Sequence, residues 1–281
     1  MAKNPADLVV RARLKERVHF PDLSERLALK LSSVVHYCAR AHFGVWHKKI
    51  GSPDFRRFEG VFTPLVYVEI EATDIPIDPM LPLRVHGESF LARTVDASGA
   101  TRHLVREGRH ALLDAKGNLV GSARLMNVFT RYDSDPARRR VTELPALLGI
   151  GKTPSRVTEL PDIDTLLPAD RPADFSDSVP GYWHYGQTDA NRHVNGIEYV
   201  RVMEEFVAQA LGGRDHDLKS LYATRARIVY RKPCFRGEGY RRRGWLLGET
   251  TPVVTGVFDR QDDPPGGRPA VAVELTLAQH T

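Results

Sequence analysis

The stretch His184-Tyr185-Gly186-Gln187-Thr188-Asp189-Ala190-Asn191-Arg192-His193-Val194-Asn195-Gly196 runs directly into Ile197-Glu198-Tyr199-Val200-Arg201-Val202-Met203-Glu204-Glu205-Phe206-Val207-Ala208-Gln209-Ala210-Leu211. The second half predicts a helix over 196–211. Tyr199, Met203, Phe206 and Ala210 fall on one stripe, with Val200, Val207 and Leu211 beside it, and Gly212-Gly213 stops it. The first half is the densest polar cluster in the chain, set between a candidate strand (182–187) and the helix start. Asp189, Asn191 and His193 alternate, so an extended backbone would point them the same way. A helix N-terminus adds free backbone N–H groups and a positive dipole end, useful to a carbonyl gaining negative charge. A carboxylate and an imidazole beside such donors can activate water. Asp189 and Asn195 are also ordinary N-cap residue types, a structural role open to either.

Outward from the helix, strand-like runs cover 221–232, 240–247, 253–258 and 270–278, with turns between. The N-terminal flank repeats this order. An apolar segment of undecided type (27–35) precedes a helix over 36–50 that ends at Gly51. Strand-like runs follow at 61–72, 83–95, 103–114 and 119–130, the last two joined by the turn Asp114-Ala115-Lys116-Gly117-Asn118. Residues 133–180 are rich in Pro, Asp, Arg and Ser and read as a linker with one short helix. A short strand, one long helix and a curled antiparallel sheet around it is the hotdog plan. The expected fold is therefore α+β, a tandem (double) hotdog: an N-terminal unit over 18–132, a linker over 133–180 and a C-terminal unit over 181–281. The N-terminal unit has His36 and His42 at the place of the polar cluster but no carboxylate. It is expected to be the partner wall, with Phe43, Trp46, Phe62 and Tyr67 lining or filling a channel between the units.

Asp189-x-Asn191-x-His193-Val194-Asn195, with Tyr199 four residues on, resembles the Asp-x-Asn-x-His-Val-Asn-Asn signature of the plant and bacterial acyl-ACP thioesterases. In that family the signature opens the second of two fused hotdog units. Gly121-Ser122-Ala123-Arg124, Val128-Phe129, Arg138 to Pro145, and Ile228-Val229-Tyr230-Arg231-Lys232-Pro233-Cys234 are similar to further segments of the family. The resemblance implies hydrolysis of acyl-ACP or acyl-CoA thioesters with water as the nucleophile. Asp189, Asn191 and His193 would be catalytic, and Asn195, Gly196 and Tyr199 would bind substrate. It implies no cofactor or metal beyond the phosphopantetheine or coenzyme A that the substrate carries. It also implies an acyl carrier protein or acyl-CoA as partner, and a place in fatty-acid or polyketide biosynthesis. Two positions depart from the pattern. Gly196 replaces the second Asn, and Pro233 stands where the family has a Glu before the Cys, leaving Asp189 as the only acid unless Glu204 or Glu205 substitutes. Hotdog pairs also serve as dehydratases and as acyltransferase-decarboxylases, and Leu23-Ser24-Glu25 is faintly similar to the latter. A non-catalytic acyl-binding module is the alternative outside enzymes.

The chain has 281 residues, 42% hydrophobic and 27% charged, an ordinary globular balance that excludes a mainly disordered chain or a disulfide scaffold. Its two cysteines, Cys38 and Cys234, form no zinc motif, and a reducing, cytoplasmic setting is expected. No apolar run is long enough for a membrane span, and the short apolar patch broken by Arg11 and Arg13 is not expected to be a signal peptide. Net charge is +5, favouring an anionic partner, and no nucleic-acid-binding signature is present. Arg138 to Arg140 and Arg241 to Arg243 are the candidate contacts to a carrier protein or to phosphates. Cys234 beside these arginines reads as a buried strand residue rather than a nucleophile. Fusion of two units permits a monomeric pseudo-dimer, and a homodimer is the other expected state.

Overall fold

The computed structural model describes residues 9–50, 60–131, 133–144, 153–168, 171–189, 192–212, 217–248, 252–264 and 266–279. Two helices lie against one long antiparallel sheet. The elements are β1 (Val9–Glu16), α1 (Leu31–Ile50), β2 (Val61–Phe62), β3 (Leu65–Ala72), β4 (Leu83–Val95), β5 (Thr101–Leu113), β6 (Leu119–Val128), β7 (Thr130–Arg131), β8 (Phe175–Ser176), β9 (Gly181–Tyr182), α2 (Gly196–Gly212), β10 (Leu221–Tyr230), β11 (Gly239–Leu247), β12 (Val253–Arg260) and β13 (Val271–Gln279). No described helix is long and apolar enough to cross a membrane.

The periodicities place most of these elements to within two residues. Three expected segments differ. Of the apolar segment before the first expected helix, residues 31–35 are the start of that helix: Leu31, Val34, Val35, Cys38, Ala41 and His42 make one buried stripe at helical spacing. The run at 61–72 is two strands, because Pro64 donates no hydrogen bond and separates β2 from β3. The strand expected over 182–187 is only the two-residue β9, followed by a 3-10 turn over Tyr185–Gln187.

The sheet order is β1-β4-β5-β6-β3-β10-β13-β12-β11-β8, with β9 also on β11. Residues 9–16 thus belong to the N-terminal half of the sheet, ahead of the expected start at 18. The two halves meet where β3 pairs antiparallel with β10. Val68 faces Ile228 and Ile70 faces Ala226 across this seam, all buried on the helix side. On the opposite face Glu69 stands across from Arg227 and Glu71 across from Arg225, and Arg225 ion-pairs with Glu69. Opposite charges directly across a strand pair favour this register over a slip. Each half would otherwise end in an open strand edge, and the pairing closes both.

The helix side of the sheet holds the main core, which includes the α2 residues Tyr199, Val200, Met203, Phe206, Val207 and Leu211. Helix α2 crosses β12 closely at Gly256, where a Cβ would lie 2.3 Å from Met203 Sδ. The other face is covered by the segment expected to be a linker. Its backbone pairs with Arg93 of β4 through Arg156 and Thr158. Ile163 and Leu166 then bury Tyr67, Phe90, Val229, Trp245 and Val257, and β8 finally joins β11. Tyr67 therefore faces away from the helices, which corrects its assignment to a channel wall. The side chain of Trp46 lies outside the described residues.

Candidate active site

The polar cluster folds as a hairpin immediately before α2. Thr188 bridges Val194, the Asp189 N–H donates to the His193 carbonyl at 2.9 Å, and the Arg192 N–H donates to the Asp189 carbonyl at 2.9 Å. Arg192 adopts φ +66°, a left-handed conformation uncommon outside glycine. The expected alternation of Asp189, Asn191 and His193 turns on residues 190–191, which lie outside the described residues. Asp189 and His193 stand opposite each other in this backbone pairing. Asp189 is exposed and His193 half-buried. Asn191 lies outside the described residues.

His193 is anchored from the opposite side. It forms a bridge with Phe235, and the two rings meet edge to face at 5.0 Å. Phe235 is itself held by a turn over residues 235–238. Its N–H donates to Glu238 Oε2 at 2.9 Å, the Glu238 N–H returns to the Phe235 carbonyl at 3.2 Å, and Gly237 supplies φ +81°. Glu238 Oε1 accepts from Arg260 at 2.9 Å. The carboxylate nearest in sequence to Pro233 is therefore engaged in positioning Phe235. Glu204 and Glu205 do not stand in for it. Glu204 is eight residues along α2 from Gly196, about 12 Å of helix, and Glu205 is exposed beside Gln209.

At the helix start, Asn195 is the N-cap, its Oδ1 accepting the Ile197 N–H at 3.2 Å. The Asn195 N–H is used by the Gln187 carbonyl at 2.8 Å, and the Val194 N–H by the Cys234 carbonyl at 2.9 Å. That leaves the Gly196 N–H, at the positive end of α2, free of hydrogen bonds among the described residues. The glycine has a packing cause. A Cβ there would lie 2.8 Å from Tyr230 Oη, whose hydroxyl donates to the Gly196 carbonyl at 3.1 Å, and 3.6 Å from Leu65 of the N-terminal half. We expect Gly196→Ala to cost about 1–3 kcal/mol by overpacking. Adding Tyr230→Phe, which removes the clashing oxygen, should return part of that loss in a denaturant melt. An unchanged midpoint for Gly196→Ala alone would remove this account of the departure from Asn.

Tyr199 is 2% exposed and packs on Trp183, Tyr230 and Phe258 in the core behind the hairpin. Its hydroxyl is raised far above the ordinary range by burial, so it is a neutral core side chain and not part of the open surface. Cys234 is buried as well, and burial pushes its thiol up, away from the thiolate a nucleophile needs. We expect Cys234→Ala to keep most turnover. Rapid inactivation by a thiol reagent, blocked by substrate and absent in Cys234→Ala, would contradict this. Tyr185, 77% exposed with the Arg236 guanidinium 5.7 Å from its ring centroid, stands on the same surface as Tyr182 and Phe235.

Of the arginines expected to meet a partner, Arg242 is largely buried in a bidentate pair with Asp177 and Arg243 is paired with Asp259. Arg241 and Arg138 remain exposed. The N-terminal half carries a polar cluster that no local motif announces. His42 Nδ1 meets Ser89 Oγ at 3.1 Å and His42 Nε2 meets Asn127 Oδ1 at 2.9 Å, with Arg106 donating to the same oxygen at 3.1 Å. Asn127 pairs with Leu65, so this cluster lies at the same end of the sheet as Gly196.

No family model matches the chain, and no curated protein matches it by sequence. Solved structures do match along its whole length. One described as an oleoyl thioesterase from Lactobacillus plantarum is 14% identical with TM-score 0.66, covering 99% of both chains. An acyl-ACP thioesterase from Bacteroides thetaiotaomicron is 11% identical with TM-score 0.65, covering 96% of this chain and 98% of that one. The 12:0-ACP thioesterase from Umbellularia californica is 15% identical with TM-score 0.65, covering 97% and 98%. The chain thus shares the hotdog-like α+β fold of these thioesterases.

Proposed function

We propose that the protein is a thioester hydrolase built as two fused hotdog units, acting on acyl groups carried by acyl carrier protein or coenzyme A. The observation that carries this reading is the hairpin. What supports it is the backbone pairing of Asp189 with His193 just ahead of α2, where the Gly196 N–H has no hydrogen bond among the described residues. Water is the nucleophile. Asp189 takes its proton, with His193 as the alternative base, and the hydroxide adds to the thioester carbonyl carbon. The negative charge that develops on the carbonyl oxygen is met by the Gly196 N–H and the helix dipole. Collapse of the adduct breaks the C–S bond, the thiolate takes up a proton, and a free acid and a thiol leave. Asn191 orients the thioester or the water, Asn195 fixes the helix start, and Tyr199 supports the site from behind. The exposed ring of Tyr185 and the guanidinium of Arg236 flank the approach of the carrier arm.

The test is thiol release across panels of acyl-CoA and acyl-ACP, with product mass read in parallel. Hydrolysis yields free acid and stoichiometric thiol. A folded protein that releases no thiol from either panel would end the hydrolase reading. A product lighter by one water, with the thioester intact, would replace it with dehydration.

A further inference from the structure

The segment leading into α1 repeats the hairpin leading into α2, residue for residue. A 3-10 turn over Phe20–Asp22 answers the one over Tyr185–Gln187. In each, the N–H of the histidine before the turn donates to the turn's last side chain: His19 to Asp22 Oδ2 at 3.3 Å, His184 to Gln187 Oε1 at 2.8 Å. Leu23 then bridges Leu29 as Thr188 bridges Val194. The Ser24 N–H donates to the Ala28 carbonyl at 2.8 Å, as the Asp189 N–H does to the His193 carbonyl. Among the described residues, only Leu27 and Arg192 combine a side chain with positive φ, +62° and +66°. The spacing between the copies never changes. Ser24 therefore stands at the place of Asp189, Ala28 at that of His193 and Leu31 at that of Gly196. The counterpart of the polar cluster is this turn and not His36 and His42, which lie within α1. The sheet repeats with it. From one edge β1-β4-β5-β6-β3 runs inward to the seam, from the other β9-β11-β12-β13-β10, and β3 meets β10 antiparallel. A seam of this kind relates two like units by a two-fold axis.

The copy before α1 opens on a cavity of about 330 Å³. Ser24 and Ala28 line it, together with Val207, Ala208 and Leu211 from the second half of α2 and Leu221 from the start of β10. Ser24 is half-buried, and its hydroxyl makes no hydrogen bond among the described residues. The wall thus keeps the plan of the hairpin before α2 and changes its reactive positions. A hydroxyl replaces the carboxylate of Asp189, and a methyl replaces the imidazole of His193. Neither supplies a general base at neutral pH, while the hydroxyl can still donate to a carbonyl.

We propose that this cavity is a second acyl-thioester site, which holds the thioester without hydrolysing it. The acyl chain lies along Val207, Ala208 and Leu211, and the Ser24 hydroxyl donates to the thioester carbonyl. The ligand class rests on the hydrolase reading of the hairpin before α2. The volume is at the lower end of small-molecule sites, about 300–1,000 Å³, and suits a chain of the octanoyl class. Charge selects the thioester over its hydrolysis product. Glu204 and Asp74 border the cavity, so a free acid brings its carboxylate to two others, whereas the thioester is neutral.

The experiment titrates S-(2-oxononyl)-pantetheine into the full chain carrying ¹³C-labelled Ala and Leu methyls. This ketone is octanoyl-pantetheine with a methylene set between sulfur and carbonyl, so it keeps the carbonyl and cannot be hydrolysed. Octanoate is titrated in parallel at pH 8. We expect the ketone to shift the Ala28, Ala208 and Leu221 methyls with an affinity at least tenfold above that of octanoate. Ser24→Ala should weaken the ketone about fivefold, the scale of one neutral hydrogen bond. Ala208→Trp, which fills the cavity from an exposed position on α2, should abolish the Ala28 shift. Asp189→Asn, at the other hairpin, should leave that shift in place. The proposal is overturned by no methyl shift at millimolar ketone, by octanoate binding as tightly, or by Ser24→Ala binding as the parent does. It is equally overturned if the Ala28 shift survives Ala208→Trp or is lost in Asp189→Asn. Thiol release is read separately on the acyl-CoA and acyl-ACP panels. Release without the methyl shifts ends the second site alone, and the shifts without release end the hydrolase reading alone.

Discussion

Replacing Asp189 by Asn, or His193 by Ala, is expected to lower kcat/KM for thiol release about a thousandfold, the usual scale for loss of a positioned acid–base group. The fold should persist. Asp189 is exposed, and the backbone bonds that it makes to His193 and Arg192 are untouched by the isosteric change to Asn. His193 loses only an edge contact with Phe235 when cut back to Ala. Thermal midpoint and circular dichroism should stay near the parent while turnover collapses. If either variant hydrolyses acyl thioesters at the parent rate, its role in water activation falls, and the hairpin is reduced to a helix cap.

Trp183→Ala should produce the largest loss of stability. Trp183 is 2% exposed, and its ring packs on Tyr240 at 4.3 Å, Tyr199 at 5.0 Å and Phe258 at 5.5 Å. It ties three elements together, since those rings come from β11, α2 and β12. Truncation of a buried aromatic typically costs about 3–5 kcal/mol, which for a chain of this size corresponds to a drop in Tm of roughly 10 °C. The backbone of Trp183 also pairs with the turn that holds Phe235, through Glu238 at 3.2 Å and Gly237 at 2.9 Å. Activity should therefore fall along with stability, in contrast to the Asp189 and His193 variants. A midpoint within 2 °C of the parent would mean that the aromatic cluster is not the element holding the hairpin to the core.

The elements themselves were legible in the sequence because burial imposes a period that local composition displays. Helix α2 shows its stripe from Tyr199 to Leu211, β4 and β6 show runs of β-branched and large apolar residues, and Asp114 to Asn118 announces its turn. The position of the polar cluster before α2 was legible for the same reason, since Asn195 is a capping residue type followed by a clear helical stripe. The function of Gly196 was not legible. It depends on Tyr230 Oη, which arrives from β10 and is 34 residues away in the chain.

What the tertiary structure alone decided are the matters that depend on which edges and faces meet. Nothing in the composition of 133–180 separates a solvated tether from a strap, and only the apolar outer face of the sheet, with Trp245 and Val229 on it, turns Ile163 and Leu166 into its cover. The side of β3 on which Tyr67 falls was set by register with β10, because a one-residue shift exchanges the faces of a strand. Arg242 and Arg243 looked like free surface charge until Asp177 and Asp259 were brought across to them. The meeting of His42 with Ser89 and Asn127 joins residues separated by tens of positions. A sequence displays the period of each element because neighbours along the chain share one backbone conformation. It does not display which distant polar group will be left facing which, because that is set by the pairing of the halves.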